Sequence, residues 1–492
     1  MSVCLTQPGC VSAMERRQIT YETVQQEARG LAREPYRKPE AYLPEDIRNL
    51  DYDQYQHIQF RPDKALWLAE QLPFQAQFFH RGYLFTDPVM INEFTETHVQ
   101  EIPYVEDFFR FGDLQLDELP RRGSGYAGWK LLSRINAPKY FDEVIVFLGA
   151  SYFRSLGKDQ VYGISARGLQ IPFGPDEAEE FPAFTRFWLR KPDPASDSFL
   201  CYALLDSPSV SGAYRFRVTP GAPTRIEVEA TLYPRRELPS IGLGGLTSMF
   251  YYGENTFPKA NDFRPEVHDS DGLLLEYGPG DRRWRPLDVA AQERLSYFNG
   301  TGLTAFGLHQ RDRDFDHYLD GESQYHRRPS VRVILDTGFD SGHVILREIP
   351  PDKDFFDNVV AGYFPNVPLV PGQAYRFKYR MEWGNFSPPE GMAVIRATRH
   401  GKDIHKEDIE IFHIEYQLPE GIAPAGLELK ASASANARLE RQWVDPASGQ
   451  PLVRVYLQVA PVSSGPVELS AQLLVDGAPV SEQWLYQWSP SN

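Results

Sequence analysis

The stretch "RIEVEATLYP", Arg225 to Pro234, decides the fold. From Arg225 to Ala230 charged and apolar residues alternate strictly, so one face of an extended segment meets a core and the other meets water. That is the pattern of an antiparallel sheet with one covered face. Outward from it, "AQFFHRGYLF", "EVIVFLGASYF", "SFLCYALLD", "AYRFRVTP" and "SVRVILDT" are further short β-branched or aromatic runs ended by Gly, Pro or Asp. No βαβ alternation accompanies them, which speaks against a doubly wound parallel sheet. "TYETVQQEARGLAREPY" is loosely helix-spaced and predicts one short helix, with Thr20 or Thr23 as its cap.

A chain of 492 residues is too long for one compact core and predicts at least two domains. Residues 1–17 read as an unstructured leader. A large β-rich unit over 18–384 follows. "WGNFSPPEGM", Trp383 to Met392, concentrates Gly, Asn, Ser and Pro and predicts a linker over 385–392. Beyond it, "IEIFHIEY", "LVRVYLQVA" and "VELSAQLLV" alternate with period two, so residues 393–492 predict a small sandwich of immunoglobulin-like size, without a disulfide pair. "GLGGLTSMF", Gly242 to Phe250, lacks the spacing of a phosphate-binding loop and reads as a tight turn.

Hydrophobic residues make up 42% and charged residues 24%, the balance of a globular protein. With 37 Gly, 40 Pro and 13% aromatics, the chain favours strands and turns over long helices. A net charge of −16 opposes nucleic acid as a partner, because phosphate binding needs a basic field. Cys4, Cys10 and Cys201 give no disulfide framework. No run approaches the ~18 apolar residues of a membrane span. The opening residues carry no apolar core of a signal peptide, so no export signal is expected from them.

The residues that invite chemistry begin with "FRPEVHDSDGLLLEYG", Phe263 to Gly278, where His268, Asp269 and Asp271 fall within four positions. They can bind a metal, move a proton or cap a turn. No H-E-x-x-H or Cys cluster supports a metal, and none is expected. Carboxylates perform acid–base work when one is kept protonated and another ionised. Three acidic clusters qualify: "EVHDSDG" (266–272), "HQRDRDFDHYLDGE" (309–322) and "PPDKDFFDNV" (350–359). The alternating signs of "RDRDFDHY" read as an exposed ion-paired loop. Asp357 differs, because Phe355-Phe356 precede it and Val359-Val360 lie just beyond. Apolar neighbours raise a carboxyl pKa and suit a general acid. Trp284, Tyr297, Phe298, Phe306, Phe315, Tyr318 and Tyr325 cluster near these segments and serve either sugar faces or a β-rich core.

Seven blocks carry a wider likeness: "FLGASYFRSLGKDQVYGISARGL" (147–169), "FPAFTRFWLRKP" (181–192), "YALLDSPSVSGAYRF" (202–216), "LTSMFYYGEN" (246–255), "FRPEVHDSDGL" (263–273), "FGLHQRDRDFDHY" (306–318) and "SEQWLYQWSP" (481–490). In this order they resemble the periplasmic glucan biosynthesis protein G and D family over nearly the whole chain. The resemblance implies an all-β fold, a large galactose-mutarotase-like supersandwich followed by a small immunoglobulin-like β-sandwich. It implies a periplasmic protein of osmoregulated glucan synthesis with no cofactor. Its polymer is β-1,2-glucan, and a membrane glucan synthase is its partner. The activity implied is that of an inverting glycoside hydrolase or transglycosylase, and the alternative is a non-catalytic glucan-binding factor. Carried over by position, Asp269 is the general base. Asp357, eight residues after the Ile of Ile349-Pro350, is the general acid, and an inverting pair stands ~6.5–9.5 Å apart. His268, Asp271, Arg311, Asp312, Arg313 and Tyr318 are implied to orient these carboxyls or bind sugar. So is Asp354, which stands where the family commonly carries Glu.

Overall fold

The computed structural model describes residues 18–116, 124–172, 179–256, 261–289, 291–446 and 450–490. The leader expected over residues 1–17, with Cys4 and Cys10, lies outside them. Strands dominate the described residues and assemble mainly into sheets of fifteen, nine and four strands. The alternating stretch lies in the strand Thr224–Pro234, hydrogen-bonded to Val210–Thr219 on one side and Tyr375–Gly384 on the other. Ile226 and Val228 point into the core while Arg225 and Glu227 face solvent.

The fifteen- and nine-stranded sheets share one apolar cluster. Phe147 and Phe153 of the smaller sheet meet Phe216 of the larger at 5.2 and 5.6 Å, and Phe153 meets Trp383 at 5.9 Å. The expected all-β class is what the chain adopts.

"SFLCYALLD" lacks polar alternation because its strand, Phe199–Asp206, is buried on both faces. Phe199, Cys201, Ala203 and Leu205 enter the main core. Leu200, Tyr202 and Leu204 are covered by Val24 and Ala28 of the helix Tyr21–Leu31. Thr20 caps that helix and Thr23 returns the bond to the Thr20 amide, so both threonines take part in one capping box. Cys201 is a free, buried thiol.

One reading changes here. The glycine-rich 242–250 segment is no tight turn. Leu243–Ser248 is a fully buried strand, with a bulge between Leu243 and Leu246 where Gly244 adopts φ +57. The glycines there make room for Gln170, whose side chain would lie 2.5–2.6 Å from a Cβ at Gly242 or Gly245.

The C-terminal sandwich has a four-stranded layer, formed by Val394–Lys402, Glu410–Gln417, Leu452–Pro461 and Ala437–Pro446. Its other layer is not a sheet of its own. Gln483–Trp488 pairs in parallel with Arg282–Pro286, Trp284 opposite Trp484, so Glu428–Ala433, Val467–Val475 and Gln483–Trp488 extend the fifteen-stranded sheet. The second apolar cluster accordingly takes in Leu274 and Trp284. Trp284 lies against Gly272, where a Cβ would fall 2.2 Å from the indole. Among the described residues no helix is long and apolar enough to cross a membrane.

Candidate active site

Asp269 and Asp357 stand 88 positions apart in sequence, and both hang from the same three residues, Ser248, Met249 and Phe250. The Asp269 amide donates to the Met249 carbonyl at 2.8 Å. The Asn358 amide donates to the Ser248 carbonyl at 3.0 Å. The buried Asn358 side chain accepts from the Phe250 amide at 2.8 Å and donates to the carbonyls of Phe250 and Ile349 at 3.0 Å each. Ser248 and Ser270 share a hydroxyl–hydroxyl bond at 2.7 Å. The strand end thus fixes the loop carrying Asp269 and the loop carrying Asp357 against each other.

The two carboxyls meet different surroundings. Asp269 is buried, and its Oδ1 accepts from Nη1 of Arg328. Asp357 is exposed as a residue, although protein crowds its carboxyl. That loss of water raises its pKa, the Arg154 charge opposes the rise, and the negative charge of Asp269 adds to it. Arg167 and Arg328 also oppose the rise. Phe355 and Phe356 do not supply the apolar setting expected of them. They are 68% and 52% exposed and pack on each other, ring centroids 4.6 Å apart.

Behind Asp269 lies a buried ionic cluster. His268 is fully buried between Phe250 and Tyr318, with Nε2 2.9 Å from Glu266 Oε2. Burial alone would lower the His268 pKa, but the bond and charge of Glu266 raise it above the usual histidine value. His317 Nδ1 lies 3.2 Å from Glu266 Oε1 and 3.6 Å from Asp312 Oδ1, and its bond to Glu266 pushes it up to about 9. Burial would raise Glu266, yet the two histidines hold it down at about 2. Burial and the charges of Asp271 and Glu266 raise Asp312 to about 7. Glu254 rises to about 8 through burial and the charges of Asp312 and Glu266. The loop expected to be exposed over 311–318 is so at Asp314, Phe315 and Asp316, whereas Arg311, Asp312, Arg313 and His317 are half-buried and Tyr318 is buried.

Among the described residues, Glu266, His268 and Asp312 bring potential metal-ligating atoms within 4.8 Å of one another. Asp269 is not in that set. His268 Nε2 already bonds Glu266, while its buried Nδ1 has no hydrogen-bond partner among the described residues.

The remaining candidates take supporting positions. Asp271 is buried, and its Oδ2 accepts from the Arg311 amide at 2.8 Å. The Arg311 guanidinium is not turned to a ligand. It forks onto Glu482 at 2.8 and 2.9 Å, donates to the Ile395 carbonyl and stacks on Trp284 at 3.6 Å. Arg313 donates to the Arg328 carbonyl and to Ser330 Oγ. Tyr318 is fully buried and donates to the Asp312 carbonyl at 3.2 Å, so it packs rather than meeting a sugar. Asp354 accepts from Arg264 at 2.9 Å, and the same guanidinium binds Asp262 and Asp320. Arg328, Glu254 and Asn358 escaped the sequence reading, which took in Glu266 only as a member of the 266–272 acidic cluster. Asn358 was the one within reach, as the polar residue between Asp357 and an apolar run.

A family model described as "Periplasmic glucan biosynthesis protein, MdoG" matches residues 19–488. The chain is 41% identical over 477 residues to "Glucans biosynthesis protein G" of Shewanella frigidimarina, covering 95% of this chain and 84% of that protein. It is 39% identical over 494 residues to the protein of the same name from Bradyrhizobium diazoefficiens, covering 100% and 98%. A solved galactose mutarotase related enzyme from Lactobacillus acidophilus aligns over 52% of this chain and 95% of its own, at 10% identity and a TM-score of 0.24.

Proposed function

The chain belongs to the periplasmic glucan biosynthesis protein, MdoG family, and on that premise we propose that it acts on a β-1,2-linked glucan backbone as an inverting glycoside hydrolase or transglycosylase. Asp357 is the general acid, giving its proton to the glycosidic oxygen as the C1–O bond breaks. Asp269 is the general base, taking a proton from the attacking oxygen on the opposite face, so that the anomeric configuration inverts through an oxocarbenium-like transition state. A water acceptor gives hydrolysis and a sugar hydroxyl gives transfer. The two differ in how well the site excludes water.

The observation that supports this reading best is the pairing of unequal carboxyls on one structural spine. Asp357 holds its proton more tightly than a free carboxyl, while Asp269 is bound to an arginine. Environments that divide two carboxyls in this way assign acid and base. The glucan then lies on the unit 18–384, with 385–392 as connection and 393–492 as the smaller sandwich. The setting is the periplasm, beside the membrane glucan synthase.

The test is to incubate the chain and its Asp357→Asn variant with linear β-1,2-glucan and follow product size. Shorter or cyclised products from the wild type, reduced at least ~10²-fold in the variant, support the reading. No product from either, with glucan still bound, makes the protein a polymer-holding partner of the synthase.

A further inference from the structure

We propose that Arg264 is a positioning residue, a latch that ties the loop carrying Asp357 to the segment carrying Asp269 and so keeps the two carboxyls in place. The inference rests on the acid and base roles proposed above.

Arg264 stands five positions before Asp269 on the same segment. Its carbonyl accepts from the Tyr252 hydroxyl at 3.2 Å. Tyr252 is buried in the strand Phe250–Tyr252, which pairs with Val267–His268. From that fixed root one guanidinium reaches three carboxylates. Nε donates to Asp262 Oδ1 at 3.0 Å and Nη2 to Asp262 Oδ2 at 2.7 Å. Nη1 donates to Asp320 Oδ2 at 3.1 Å, and Nη2 also donates to Asp354 Oδ2 at 2.9 Å. A planar fork of five donors can span three partners at once, whereas the ammonium of a lysine is a single point charge.

Two of these bonds bear on the site. Asp354 lies three residues before Asp357. The loop 350–357 is closed at its base, where the Ile349 amide donates to the Asn358 carbonyl at 2.8 Å, and Asn358 is bound to Ser248 and Phe250. Asp357 therefore sits between two tethers, Asn358 after it and Asp354 before it. With Asp354 released, the base of the loop becomes a hinge and the acid moves with the loop. Asp320 carries the link onward to the base. Its Oδ1 accepts from the amides of Glu322 and Ser323 at 3.0 and 2.7 Å. The Ser323 carbonyl accepts from Arg328 Nε and Nη2 at 3.1 and 3.0 Å, and Arg328 Nη1 donates to Asp269. Contiguous bonds thus run from the acid's loop through Arg264 to the base.

Asp354 is the arm that can open. Its side chain is 32% exposed, against 13% for Asp262 and 11% for Asp320, so water can take it over once it leaves. Phe355 and Phe356 beyond it are exposed and pack on each other, so apolar burial adds little to hold the tip. Three carboxylates around one cation repel one another, and the loop stays down only while Arg264 stands between them.

Two readouts test the latch. Asp354→Ala cuts it and leaves Asp357, Asn358 and Asp269 unaltered. On β-1,2-glucan its kcat should fall about 10- to 100-fold, because a misplacement of about 1 Å costs up to ~10²-fold, while KM moves less than about threefold. Asp354→Glu keeps the charge and should recover most of kcat. The second readout needs no activity. Trypsin cuts after Lys353, inside the loop, when the loop opens. The rate, followed by mass spectrometry, is divided by that of a synthetic 349–358 peptide with the same substitution, which cancels changes beside the scissile bond. The ratio should rise about fivefold or more in Asp354→Ala and in Arg264→Gln, and return toward wild type in Asp354→Glu.

A fall in kcat with the cleavage ratio unchanged, or a rise in KM at constant kcat, would make Asp354 a sugar contact and overturn the latch. A looser loop with kcat intact would show that the acid needs no such tether, and the inference falls. If the loop loosens but the wild type neither cleaves nor transfers glucan, the latch stands and the catalytic reading fails. Thermal melts check folding, and should Arg264→Gln not fold, the two Asp354 variants decide alone.

Discussion

Glu482 ties Arg282 and Arg311 to Ile395 of the four-stranded layer, and its removal has a calculable cost. Its side chain is 0% exposed. It accepts from Arg311 Nη1 and Nη2 at 2.8 and 2.9 Å, from Arg282 Nε at 3.3 Å and from the Ile395 amide at 3.1 Å. Glu482→Ala leaves the Arg311 cation largely buried with no carboxylate, while Arg282 keeps Glu276 at 3.2 Å. Breaking a buried ion pair from one side costs about 3–5 kcal/mol, because the abandoned charge cannot be solvated. The unsatisfied Ile395 amide lies within that range rather than on top of it. The assay is equilibrium urea unfolding followed by tryptophan emission, with Trp284 under Arg311 and Trp484 in the neighbouring strand as reporters. The double variant Arg311→Met/Glu482→Leu removes the stranded cation and should be less destabilised than Glu482→Ala alone. A Glu482→Ala variant within about 0.5 kcal/mol of wild type would refute the reasoning. So would a double variant whose loss equals the sum of the two single losses.

Two further expectations concern the site and its surroundings. Asn358→Ala removes three side-chain hydrogen bonds of about 1 kcal/mol each and should lower stability by about 3 kcal/mol. It should also lower kcat by loosening the Asp357 loop, and a variant with unchanged kcat would show that the loop needs no such anchor. Stability should fall as pH rises from 6 to 9. Asp312 and Glu254 hold protons up to about pH 7 and 8 in the folded chain, far above their unfolded values. His317 contributes fully below its unfolded pKa of 6.5 and loses that contribution through about pH 9. All three bind protons more tightly when folded, so the slope is negative, whereas the Glu266 contribution is lost only as pH falls toward about 2. The measurement is Tm against pH for wild type and Asp312→Asn, whose curve should be flatter up to about pH 7 and parallel to the wild type above it; a wild-type Tm that stays level or rises from pH 6 to 9 contradicts the assignment.

The strands were legible because a half-buried strand writes its environment in alternation, as Arg225 to Ala230 do. The helix cap was legible because it is local, and the likeness to the family was legible because long blocks retain their order. What escaped depends on partners distant in sequence. Arg328 reaches Asp269 across 59 positions, and Arg311 reaches Glu482 across 171. Charge alternation in "RDRDFDHY" looked like a solvated loop because nothing local reveals that Glu266 and His268 lie behind it. Phe355 and Phe356 looked like a dry pocket for Asp357, yet adjacency in sequence does not bury a ring, and both face outward. The glycines of 242–250 looked like a turn because room for Gln170 and room to bend use the same residue. The shared sheet between the sandwiches depends on one parallel pairing of two tryptophan-bearing strands, which no periodicity announces.

The most direct test of the account is the anomeric configuration of the first product, read by proton NMR within the first minutes of reaction on linear β-1,2-glucan. An inverting pair built from Asp357 and Asp269 predicts that the α-anomer of the new reducing end appears before mutarotation. It also predicts that Asp357→Asn and Asp269→Asn each remove the signal. A first product in the β configuration, or a signal that survives either substitution, would contradict it.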